Sequence, residues 1–192
     1  MQFSRLLAFF FTLFAFGLLV SAAPVEEREV EKRDIVSEVL SVVEGLQSEV
    51  VAVVDQISLL SPVAATLNDL LPLVDQIESL IAGATLNLDL LGLLKREEIR
   101  ELDARQLGDL TSEIASILGG IISSVTGVLG GFTGTAGLSG ITSVLDGPLS
   151  TILNVVEGLI PGVLTLVAGL LGTVVGLLSS LGLSGLLGIL AL

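Results

Sequence analysis

From Val36 the apolar positions step along the chain as Val36, Val39, Val43, Leu46, Val50, Val53, Ile57 and Leu60, with spacings alternating between three and four. That spacing puts them on one face of a helix. Glu38, Ser41, Glu44, Gln47, Ser48 and Gln56 fall mainly off the seam. Such a pattern predicts helix–helix packing, either as an ordinary amphipathic helix on its own domain or between chains. Val lowers intrinsic helix propensity, so packing has to supply the stability. Ser61-Pro62 reads as an N-cap followed by Pro at the first helical position. It opens a second helix that Pro72 kinks or splits and Gly83 can end. Val54-Asp55-Gln56-Ile57 recurs as Val74-Asp75-Gln76-Ile77, and SEVLSVVEGL (37–46) is echoed by STILNVVEGL (150–159). These are related amphipathic blocks, too few to define a repeat architecture.

Behind Arg105 the pattern changes. Gly158, Gly162, Thr165, Gly169, Gly172, Gly176 and Ser179 form a seam of small residues, again spaced four and three. In a helix this lets a second helix approach closely, so Gly158, Gly162, Gly169, Gly172 and Gly176 are candidates for self-association. The Leu and Val between them make the helix apolar nearly all round, which predicts burial in protein, lipid or another non-aqueous phase. The stretch 118–140, rich in Gly, reads as loop or interrupted helix. The expected fold class is all-α, with amphipathic helices in front and Gly-rich apolar helices and loops behind. The N-terminal segment is expected to be cleaved or disordered.

The 35 residues from Gly158 to Leu192 carry no charge, longer than the roughly 20 needed to cross a bilayer. Pro161, the frequent Gly and the lack of flanking Lys/Arg or interfacial Trp/Tyr argue against a conventional span. A hairpin dipping into lipid is the alternative. A glycolipid anchor needs a polar spacer before the oily tail, and almost none is present.

Charge sharpens the contrast between the halves. The chain has 21 acidic and 8 basic residues, for a formal net charge of −13. From Asp34 to Arg105 there are thirteen acids and four bases; from Gln106 onward there are four acids (Asp109, Glu113, Asp146 and Glu157) and no base. Nucleic acid is an unsuitable partner for such a chain, since backbone binding relies on Lys/Arg clusters. There is no Cys, His, Trp or Tyr. Nucleophilic triads and zinc sites therefore lack their usual residues, and neither an enzyme nor a cofactor nor a metal is expected. The lack of Cys also excludes a disulfide framework.

MQFSRLLAFFFTLFAFGLLVSAAP has the three parts of a secretory signal: Arg5, the apolar stretch Leu6 to Val20, and small residues for cleavage after Ala22. A short charged segment, 23–33, ends in Lys32-Arg33 and reads as a propeptide cut by a dibasic-specific protease. A second pair, Lys95-Arg96, reads equally as a processing site or as part of a solvated stretch. The expected organisation is thus signal peptide 1–22, propeptide 23–33, acidic amphipathic region 34–94, charged linker 95–106 and hydrophobic Gly/Leu/Val-rich region 107–192.

SAAPVEEREVEKRD followed by a Cys-free, Leu/Val/Gly/Ser-rich region resembles secreted proteins of mushroom-forming fungi. In layout it is similar to the cysteine-free hyphal wall proteins that work beside hydrophobins in aerial hyphae and attachment. The hydrophobin family itself is excluded, because its eight-Cys pattern is missing. The resemblance implies an extracellular structural role in the wall or matrix and transfers no catalytic or binding residue. The expected partners are further copies of the chain, hydrophobic surfaces or wall components. Two other readings stand beside this one: a precursor of secreted peptides cut at the Lys-Arg sites, and a membrane-embedded or membrane-perturbing protein.

Overall fold

The seam that begins at Val36 becomes the inner face of the first helix, α1 (Ile35–Ser58). Val39, Val43, Leu46, Val50, Val53 and Ile57 are all buried, and Leu60 is half-buried just beyond the helix. In the computed structural model the described residues are 35–62, 65–100, 104–134 and 138–192. Among them every regular element is a helix. They belong to one unit, Asp34–Leu192. The expected signal peptide, the propeptide and the processing positions Ala22, Lys32 and Arg33 lie outside the described residues, as does the side chain of Val36.

The second helix, α2 (Leu67–Arg100), departs from the sequence expectation in four ways. It starts at Leu67, and its cap is Thr66 rather than Ser61. The Thr66 backbone N–H and hydroxyl donate to one Asp69 carboxylate oxygen at 2.9 and 2.8 Å, while the Thr66 carbonyl accepts from Leu70 N at 3.3 Å. This is the returning half of a capping box, with Asp at the third helical position. Pro72 does not split the helix. It sits less than two turns from the start, where the only intrahelical bond it removes is to the Asn68 carbonyl. Gly83 does not end it either, because Ile81, Ala84 and Leu88 continue the buried stripe of Leu70, Val74 and Ile77 across it. The charged stretch expected as a linker over 95–106 is instead helical through Arg100, so Lys95 and Arg96 lie on α2.

α3 (Ala104–Gly130) runs straight through the first part of the stretch expected to be broken. Its glycines are tolerated because Ile114, Leu118, Ile121, Ile122, Val125 and Leu129 form a continuous buried face. A turn over 131–134 follows, with Phe132 buried in it. α4 (Leu138–Leu159) contributes Leu145, Leu149, Ile152, Leu153 and Val156 to the core. The paired sequence blocks have matching faces: Val54 and Ile57 are buried, as are Val74 and Ile77, while the Asp-Gln between them is exposed in both.

After α4 the backbone turns at Gly162, whose φ of 98° is left-handed and suits glycine. α5 (Val163–Leu171), a 3₁₀ turn (Gly172–Val174) and α6 (Val175–Ser180) follow. A second left-handed glycine, Gly182 at φ 78°, leads into α7 (Ser184–Leu190). The small-residue seam therefore runs from the end of α4 through α5, the 3₁₀ turn and α6, in keeping with the expected Gly-rich helices and loops.

The helices close into a ring. α1 packs between α2 and α3; α2 packs on α4, and α3 on α5. α4 meets α5 and α7, and α5 meets α7, which completes the circuit. The pairing joins the acidic and the oily parts of the sequence: α3 packs on α1 and on α5, and α4 packs on α2 as well as on α5 and α7. Every buried polar side chain among the described residues is a Thr: Thr85, Thr111, Thr126 and Thr142. Each hydroxyl donates to the carbonyl one turn earlier, so the core holds polar atoms without an unmet bond at those positions.

The cap of α2 makes a pH prediction. Hydrogen bonds from the Thr66 backbone N–H and then its hydroxyl hold the Asp69 carboxyl below the ordinary aspartate range. A depressed carboxylate contributes stability above its unfolded value of about 3.9, lost as pH falls through the folded value. NMR titration should therefore place the Asp69 midpoint below that of a free aspartate. Thr66→Ala, which keeps the N–H and loses the hydroxyl, should move it only part of the way back.

Candidate functional surface

Two surfaces depart from the ordinary exterior of a helical bundle. The first is on α2. Leu86, Leu90, Leu93 and Leu94 repeat at four, three and one and are 64%, 56%, 81% and 79% exposed. Leu88 and the rest of the inner stripe face the opposite way and are buried. The helix thus carries two apolar faces over its last turns, although periodicity requires only one. Between them Gly92 meets α4, where a Cβ would lie 2.5 Å from a methyl of Leu159. The C-terminal end of the leucine ridge, Leu93 and Leu94, thus lies within a turn of the residue that meets Leu159 at the end of α4.

The second surface is the layer formed by α5, α6 and α7. Only 22% of the residues in 163–180 are buried. Its inward side chains, among them Val163, Val167, Leu171, Leu178, Leu186 and Leu190, are sealed against the bundle. Outward it presents Thr165, Leu166, Gly169, Leu170, Gly172, Thr173, Gly176, Ser179 and Ser180, with no charge. The expected small-residue seam lies on this outer side. Gly158, Gly169, Gly172 and Gly176 are exposed and have no atom within 4 Å of an added Cβ, while Gly162 meets only a Thr111 methyl at 3.9 Å. Among the described residues, no helix packs onto the seam. Close approach occurs elsewhere, where Leu170 lies over Gly119 and Leu177 over Gly130 of α3. Periodicity in sequence found the seam but not these two holes, because the latter are defined only by which leucine crosses them.

Charge is distributed around the ring accordingly. α1 exposes Glu44, Glu49 and Asp55, and α2 exposes Asp69, Asp75 and Asp89. α1 neighbours α2 and α3, whereas the layer neighbours α3 and α4, which sets the acidic helix across the bundle from the uncharged one. Of the four acids behind Arg105, two are committed to structure. Asp146 accepts from Gly185 N at 2.7 Å and Leu186 N at 2.8 Å. Glu157 accepts from Gly162 N at 2.9 Å and Leu164 N at 2.8 Å. These carboxylates satisfy amides at the starts of α7 and α5 that have no intrahelical partner. Asp109 and Glu113 stay exposed on α3.

Among the described residues no group of three or more His, Cys, Asp or Glu could hold a metal ion. Three segments, Leu67–Leu94, Leu107–Gly130 and Val163–Ser180, are long and apolar enough to cross a membrane by length and composition. Comparison with known proteins finds no matching family model, no matching curated protein and no matching solved structure.

The two faces of α2 can be told apart by mutation. Leu88→Ala should cost about 2–5 kcal/mol in urea unfolding, the usual range for a buried leucine. Leu93→Ala should stay within about 0.5 kcal/mol of wild type. Equal losses would mean that the ridge is covered in solution.

Proposed function

We propose that the chain is a secreted structural protein of the fungal wall or extracellular matrix that works by adsorbing to, and self-associating on, apolar surfaces. The observation that carries this reading is the uncharged outer side of α5–α7, set across the bundle from the acids of α1. A body with one charged and one uncharged side lowers its free energy by lying at a boundary between water and an apolar phase. The leucine ridge adds to this, since each Leu removed from water contributes roughly 1.5–3 kcal/mol. The exposed Gly158, Gly169, Gly172 and Gly176 would allow neighbouring copies to approach within such a film. Formation of aerial hyphae and attachment to hydrophobic supports are the roles that fit, together with the layout shared with cysteine-free hyphal wall proteins.

The surface-active role differs from the one suggested by sequence in what does the work. It rests on the patches the bundle leaves uncovered, not on a wholly exposed rear half. The peptide-precursor reading loses weight because Lys95-Arg96 lies on a helix, whereas proteolytic nicking favours exposed loop tips. The membrane reading keeps one favourable observation, the three apolar segments of sufficient length. Resistance of the protein to alkaline carbonate extraction from membranes would favour that reading.

Two measurements on purified secreted protein test the proposal. At neutral pH it should raise the surface pressure of an air–water interface and make a Teflon sheet wettable; absence of both effects removes the proposed role. Acidification lowers the net negative charge of a chain with 21 acidic and 8 basic residues, and with it the repulsion between copies. Turbidity should therefore rise between pH 7 and pH 4. A flat trace would show that charge repulsion is not what keeps the copies apart.

A further inference from the structure

The layer α5–α7 is held to the ring by polar side chains of one helix. Asp146 of α4 clamps Gly185 and Leu186 at the start of α7. One turn earlier on α4, the buried Thr142 hydroxyl reaches the Leu181 carbonyl as well as that of Leu138. These contacts join residues 39 and 40 apart in sequence. Between them the chain turns at Gly162 and Gly182, both in the left-handed region. Glu157 fixes the first of these corners by accepting from Gly162 and Leu164.

We propose that Asp146 and Thr142 form a latch that keeps α5–α7 closed in water, and that the layer swings off the ring at an apolar surface to lay its underside on it. This inference rests on the surface-active reading above. In water, opening would expose Val163, Val167, Leu171, Leu178, Leu186 and Leu190, and hydrophobic burial opposes it. At an apolar surface the same side chains pass from one apolar environment to another, so that opposition largely cancels. Backbone hydrogen bonds within each helix travel with the helix and are not lost. The fit of the packed side chains and the latch are what remain to hold the layer shut. No disulfide restrains it, because the chain has no Cys. Gly162 supplies a corner whose dihedrals can change without a Cβ clash.

The absence of Cys also makes the test clean. An added Cβ on residue 185 would lie 3.2 Å from the Asp146 Cγ, close to where a cysteine sulfur at 146 would sit. The pair Asp146→Cys with Gly185→Cys is therefore placed to form a disulfide across the latch. Surface-pressure kinetics would be followed for wild type, for the double variant oxidised and reduced, and for Asp146→Ala. Circular dichroism would confirm equal helix content. The oxidised form should adsorb about tenfold more slowly than the reduced form, with reductant restoring the rate. Asp146→Ala should adsorb about fivefold faster than wild type, as expected for loss of a helix cap. Equal rates for oxidised and reduced forms, with wild type still adsorbing, would overturn the latch and leave the surface-active reading intact. Failure of all forms to adsorb would remove both.

Discussion

The structure depends on covering the apolar faces of α3 and α4 with too few polar residues to do so. Charged residues make up 15% of the chain and hydrophobic ones 52%. α1 resolves most of the conflict by lying between α2 and α3, so that its single seam covers two helices at once. α2 does the same for α4 with its inner stripe. Without α1, the inner face of α3 would lose its principal cover and that of α2 one of its two main partners. Burial of that kind is non-directional, and among the described residues it is supplemented by no buried acid or base. The four buried threonines each bond the carbonyl one turn earlier in their own helix, and of these Thr142 alone also reaches a carbonyl of another segment, that of Leu181.

What could be read from sequence follows from this. From Val39 to Ile57 the α1 seam was legible position by position, because a three-four spacing has one structural meaning when its residues are mostly Val and Leu. All-α architecture was legible for the same reason. The limits of α2 were not. Ser61-Pro62 is a stronger local start signal than Thr66, yet Thr66 has Asp69 at the right distance to complete a cap. Pro72 and Gly83 weaken a helix by local propensity, and the continuous stripe from Leu70 to Leu88 outweighs them through packing. Charge density over 95–106 suggested a linker, but charge is compatible with a solvated helix as readily as with a loop.

The candidate surface was half legible. The seam of small residues was visible by its spacing, and its solvent-facing position was not, since a row of glycines looks the same against a partner or against water. Nor could sequence show the leucine ridge. Leu86, Leu90, Leu93 and Leu94 sit in the acidic half, where the contrast between halves draws attention away from them. Asp146 and Glu157 looked like leftover charge in an oily region. Their role emerges only when the chain returns to place Gly185 beside Asp146, and when it turns at Gly162 to bring Leu164 beneath Glu157. Contacts across 39 residues leave no local mark.

A bundle of this composition bears on function through the type of force that closes it. Proteins meant to stay shut at an interface commonly add directional or covalent restraints, such as disulfides, which survive a change of solvent. Here closure relies almost wholly on water, whose influence ends where an apolar phase begins. The few directional ties sit at the C-terminal layer, the part with no charge to keep it hydrated. Among the described elements, that layer has the least to lose on leaving water, and it alone is pinned by carboxylates from a neighbouring helix. Ties placed there, and not around α1, are what the proposed surface role requires of a layer that opens only at an apolar boundary.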